Sequence, residues 1–166
     1  FTNKYSIVGE EYKNFLMEFK DVEFPNETSL PYRRVWTKPV TTYATNYSKL
    51  DVSLAPIKNH IFNRMKSQLK VIEAGFYKKA LIASNIGPYT IDLKHSLQNG
   101  NFVDGNALIV DEHKNHSDWS KYIKKLITNP NMITDMGERL YETVKDTYDL
   151  RNVTRNRAEW YKTLVQ

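Results

Sequence analysis

Short apolar runs alternate along this sequence with stretches of helical spacing, and that alternation restricts the fold more than any other feature. The runs are DVSLAP (Asp51–Pro56), ALIAS (Ala80–Ser84) and NALIV (Asn106–Val110). ALIAS is continuously apolar, as strands buried on both faces of a parallel sheet are. DVSLAP reads as a buried strand stopped by its proline. Segments with apolar residues every three or four positions fall at about Met65 to Tyr77, Ser117 to Thr128, Pro130 to about Thr147 and Arg151 to Val165. Upstream, YSIVG (Tyr5–Gly9) reads as a strand. Tyr12, Phe15, Leu16 and Phe19 then stand at helical spacing, DVEF is a short strand before Pro25, and Tyr43, Tyr47 and Leu50 suggest another helix. Strands that alternate with helices predict an α/β fold, a parallel sheet with helices on both faces. Ligands of such sheets bind at the carboxyl ends of the strands. The loops after Gly9, Pro56, Ser84 and Val110 are therefore the places to look for function.

The 166 residues suit one domain with a substantial core, and 40% hydrophobic with 26% charged residues is an ordinary globular composition. The net charge of +5 permits an anionic ligand without calling for nucleic acid, and no nucleic-acid partner is expected. The absence of cysteine excludes disulfides, thiol catalysis and cysteine-ligated metals. No apolar run approaches the roughly 18 residues of a membrane span, and a cytoplasmic location is expected, with the inner face of the membrane left open. The chain starts at Phe1 and is read as a piece of a longer protein.

Several residues invite sharper readings. DEHKNHSDW carries His113 and His116 three apart, but its position after a strand suits a solvated loop and helix cap better than a metal site. Trp36, beside Arg33 and Arg34, could stack on a base or pack against a neighbouring element. Trp160 and Tyr161 read as core anchors of the last helix. Most unusual is Glu73. At about 100° per residue, Leu69, Ile72 and Phe76 cluster on one side of their helix, with Glu73 among them and Lys66 near the same meridian. A buried carboxylate needs partners. Lys66, Lys70 or a backbone amide could supply them in a structural role. Alternatively, the carboxylate accepts hydrogen bonds from a ligand's vicinal hydroxyls, with Lys66 and Ser67 near a helix start able to hold phosphates.

From about Val35 onward, and most specifically over Asp51 to Tyr89, the chain resembles the C-terminal, donor-binding half of GT-B glycosyltransferases. The likeness is to bacterial sugar-nucleotide-dependent enzymes of the retaining, group 1 type. NRMKSQLKVIEA resembles an N-x-x-K-S-x-x-K-x-x-E-A signature of a subset of them, and ALIASNIGPY resembles the strand and ligand-side loop that follow. The resemblance implies a Rossmann-like parallel sheet flanked by helices, with residues 1–166 forming one lobe of a two-domain enzyme whose acceptor lobe lies outside this chain. Glu73 matches the second acid of the family's E-x7-E motif, which binds the nucleotide ribose. Asn63, Lys66 and Ser67 match the part that holds the donor sugar and diphosphate. Pro56, Asn85, Gly87, Pro88 and Tyr89 would line the nucleotide cleft. The position of the motif's first acid holds Met65, and the basic pair that often grips the diphosphate is missing near Gly9, which leaves Arg64, Lys66 and Lys70 as substitutes.

The implied activity is transfer of a sugar from a nucleoside-diphosphate donor to a glycan or lipid-linked acceptor, in surface-polysaccharide or glycoconjugate synthesis. No cofactor or metal is expected, no catalytic base is assigned in this chain, and peripheral membrane contact is left open. A chain of this kind is expected to bind nucleotide without turning it over. The competing expectation is a non-catalytic Rossmann-like nucleotide-binding or interaction domain in which Glu73 belongs to a structural ion pair.

Overall fold

The computed structural model describes residues 39–112 and 115–164. The expected N-terminal strands and helix, Trp36 and His113 lie outside them. The order of elements is a helical turn α1 (Val40–Tyr43) continued by a 3-10 turn (Ala44–Lys49), strand β1 (Val52–Ala55), the short helix α2 (Ile61–Arg64), helix α3 (Leu69–Phe76), strand β2 (Ala80–Ser84) and a 3-10 turn (Gly87–Thr90). Strands β3 (Leu97–Gln98), β4 (Asn101–Phe102) and β5 (Leu108–Val110) come next, then helices α4 (Asn115–Thr128), α5 (Asn131–Val144) and α6 (Leu150–Thr163).

Strands β1, β2 and β5 form a parallel sheet in the order β1-β2-β5. Val52 pairs with Ala80 and Ala55 with Ala83, while Ile82 pairs with Leu108 and Ser84 with Val110. The central β2 is buried throughout, as its unbroken apolar run predicts. Its alternate residues feed two cores. Leu81 and Ala83 join Val71 and Ala74 of α3 and Leu140 and Val144 of α5, whereas Ala80 and Ile82 join Leu108, Val110, Tyr122, Leu126 and Met136 on the opposite face. Helices thus cover both faces of the sheet, the α/β arrangement that the alternation predicts. Strand β1 is less buried than expected: it lies at one side of the described sheet and exposes Leu54.

The helix expected from Met65 starts later, at Leu69. Chain between α2 and α3 leaves helical geometry before Gln68, whose buried side-chain amide donates to Asp92 Oδ2 at 2.7 Å and to the Tyr148 hydroxyl. Tyr148 in turn donates to Asp92 Oδ2 at 2.5 Å, and burial together with that bond pushes its phenol up to about 12.

The buried face of α3 is also different from the expected one. Val71, Ala74 and Gly75 are buried, while Leu69 is 52% and Phe76 38% exposed. Close approach to α5 explains the choice. A Cβ on Gly75 would lie 2.6 Å from Val144 Cγ2, and one on Gly137 would lie 2.2 Å from the Lys78 carbonyl oxygen. Small residues let the two elements touch, and the large apolar residues of α3 are left on its outer side.

Between Tyr89 and β5, a hairpin appears that periodicity does not suggest. Strands β3 and β4 pair antiparallel around Asn99 (φ 49°) and Gly100 (φ 81°). Two consecutive positive φ values are those of a type I′ turn, for which Asn-Gly is the preferred pair. Helix α6 is capped by Asp149, whose carboxylate accepts from the Arg151 and Asn152 amides, yet it buries no residue. Trp160 and Tyr161, expected in the core, are 58% and 57% exposed, and their ring centroids lie 5.3 Å apart. Leu150 of the same helix is exposed as well, and Val153 is half-buried. No helix among them is long and apolar enough to cross a membrane.

Candidate functional site

The carboxyl ends of the three parallel strands bring their exit loops together. After β1, the Ile57 amide donates to Ser84 Oγ at 3.0 Å, which ties the first loop to the end of β2. The Asn85 amide donates to the Val110 carbonyl at 2.8 Å and the Asn85 side chain to Asp111 Oδ1 at 2.7 Å, which ties the second loop to the third. Farther out, Asn59 Nδ2 donates to Glu112 Oε2 at 2.5 Å, and Asn59 Oδ1 accepts from Arg64 Nε at 2.6 Å. Gly87, at φ +52°, passes so close to α2 that a Cβ there would fall 2.9 Å from Arg64 Cα. Glycine is the residue suited to both the left-handed backbone and the close approach.

Of the sequence-predicted residues, Asn63 supports the loop itself: its side-chain amide donates to the Lys58 carbonyl at 2.7 Å. Lys66 lies over the Phe62 ring, 4.8 Å from its centroid, and Ser67 is exposed just before α3. Both precede the helix, so neither belongs to its first turn. Pro56, Asn85 and Gly87 are exposed along the loops of this edge, whereas Pro88 and Tyr89 are buried and Tyr89 belongs to the core.

Glu73 lies in the second turn of α3, and its side chain is 12% exposed. Its Oε2 accepts from the Tyr47 hydroxyl at 2.8 Å and from Lys70 Nζ at 3.2 Å. Lys70 also donates to the Tyr43 hydroxyl at 2.6 Å and sits 4.7 Å from the centroid of that ring. Burial raises the Tyr47 phenol strongly and its bond to Glu73 adds to the effect, so it stays a neutral donor. Burial alone would lower Lys70, but its bond to Tyr43 and the groups around it outweigh that and hold the ammonium protonated. The other carboxylate oxygen, Oε1, receives no hydrogen bond from the described residues. Tyr47 stacks on Tyr77, 5.9 Å between centroids. Tyr43 and Tyr47 are partners that sequence reasoning did not find. Their four-residue spacing was visible, but the contact spans 26 residues of sequence and exists only in the fold.

Among the described residues, no three His, Asp or Glu side chains gather in a way that could hold a metal. An open depression of about 320 Å³, lined by Lys94, Asp104, Asn106, Arg139, Glu142 and Thr143 among others, lies beside the segment that leads into β5. None of the expected site residues lines it.

Comparison of the chain with protein-family models, curated proteins and solved structures returned no match. The fold and site therefore define a class, an α/β domain with a Rossmann-like parallel sheet and a polar carboxyl edge.

Proposed function

We propose that this chain is the donor-binding lobe of a GT-B glycosyltransferase and binds a nucleoside-diphosphate sugar at the carboxyl edge of its sheet. One observation carries the reading: Lys58, Arg64 and Lys66 come from a single loop region at that edge, and none forms an ion pair with a described residue. An edge with basic groups uncommitted to carboxylates suits a polyanion. As the bond between the anomeric carbon and the diphosphate oxygen breaks, negative charge grows on the departing nucleoside diphosphate, and fixed cations beside it lower the barrier. Glu73 Oε1, which receives no hydrogen bond from the described residues, can accept from ribose hydroxyls. Acceptor binding and any general base belong to a second lobe.

A second reading has its own support. Tyr47 and Lys70 already satisfy one oxygen of Glu73, as they would in a non-catalytic Rossmann-like domain with Glu73 in a structural ion pair. Calorimetric titration with UDP, GDP, ADP and TDP, repeated on folded Glu73→Gln, separates the two. The donor reading expects one nucleotide to bind and the variant to bind it about tenfold or more weakly. Unchanged nucleotide affinity with lowered stability places Glu73 in the structural role instead.

A further inference from the structure

All three strand-exit loops converge on Arg64. Asn59, after β1, accepts from its Nε at 2.6 Å, and Glu112, after β5, accepts from the other end of the Asn59 amide at 2.5 Å. Gly87, after β2, packs directly on its backbone. Glu112 thus neutralises no guanidinium nitrogen directly; it orients Asn59, and Asn59 fixes the plane of the guanidinium through Nε. The two terminal nitrogens make no hydrogen bond or ion pair with a described residue, and the side chain belongs to an exposed residue. A guanidinium held by Nε presents its terminal pair as a preformed fork, the geometry that matches two oxygens of a phosphate group. Lys66, half-buried over Phe62, and the exposed Lys58 supply further positive charge from the same region, against Asp111 and Glu112 on the third loop. Asp111 is engaged by Asn85 and Glu112 by Asn59, so both carboxylates already have donors.

We propose that Arg64 is a diphosphate-binding residue, with Asn59 as its positioning residue and Gly87 as the spacer that admits it. The inference rests on the donor-lobe reading and names the residue at this edge whose fork would grip the diphosphate. Its chemistry is separable from nucleotide recognition, because the fork contacts only the diphosphate. Inorganic pyrophosphate therefore tests it directly.

The experiment is calorimetry on the whole chain with pyrophosphate, the four nucleoside diphosphates and the four matching nucleosides, for the native protein, Arg64→Ala, Arg64→Lys and Asn59→Ala. Circular dichroism first checks that each variant is folded. Arg64→Ala should weaken pyrophosphate and nucleoside-diphosphate binding about 10- to 100-fold and leave nucleoside binding unchanged. Arg64→Lys, which keeps the charge and loses the fork, should fall between the two, and Asn59→Ala should show a smaller loss with the same selectivity. If Arg64→Ala does not fold, Arg64→Lys still decides the matter. Native-like pyrophosphate affinity in a folded Arg64 variant overturns the inference while a surviving nucleotide affinity preserves the donor reading. Pyrophosphate binding that needs Arg64, with no nucleotide bound by the native chain, keeps the anion site and removes the donor reading. No binding of any ligand to the native chain overturns both.

Discussion

Helices α3 and α6 are both amphipathic, yet they meet opposite fates. Helix α3 has eight residues and is locked in place; α6 has fourteen and buries none of them. Helix α3 is the more apolar of the two, with five apolar residues in eight against five in fourteen for α6, but content alone does not choose the face that is buried. Helix α3 turns Leu69 and Phe76 outward and packs through Ala74 and Gly75, because small residues allow α5 to come within contact of its backbone. Helix α6 carries Leu150, Trp160 and Tyr161 and is followed by Leu164 at its cap, and all four are exposed. Burial here goes to the surface that another element can match in shape.

That contrast can be broken by substitution. The largest effect is expected at Leu140, fully buried on α5 beneath α3. Leu140→Ala should cost about 2–5 kcal/mol through lost transfer energy and the cavity left behind, read as a lower urea midpoint with an unchanged slope. A loss below about 1 kcal/mol would mean that the α3–α5 seam is loose. Gly75→Val tests the seam from the other side. The added methyls must displace Val144 or separate the helices, for about 1–3 kcal/mol by the same measurement. Wild-type stability in that variant would show that α3 can move away from α5 freely. The smallest effect belongs to α6. Trp160→Ala should change stability by no more than about 0.5 kcal/mol, as at other exposed positions, with tryptophan fluorescence of the native chain including a solvent-exposed component. A loss of several kcal/mol would mean that the Trp160 face is covered in solution.

The three parallel strands, their order in sequence and the helices that follow were legible from pattern alone. The ALIAS run has one reading, a strand buried on both faces, and β2 is that strand. Asn99-Gly100 was equally legible as a hairpin turn, and its missed signal was chemical: two positive φ values ask for that dipeptide, while periodicity over two-residue strands carries almost no information. The site was legible in part. The loops at the carboxyl ends of the strands do converge, but Asn59 and Glu112 enter through contacts spanning 53 residues, which no local pattern encodes.

The sequence by itself determined where the chain is extended and where it is helical, since side-chain alternation, caps and turn residues act over a few positions. The Asp149 cap and the Asn99-Gly100 turn are of this kind. Only the tertiary structure decided which face of α3 is buried, that Tyr47 and Lys70 receive the Glu73 carboxylate, and that α6 displays its aromatic pair. Those outcomes depend on the shape and proximity of surfaces far apart in sequence. A hydrophobic stripe states that a helix can be buried on one side; the element that packs against it chooses the side.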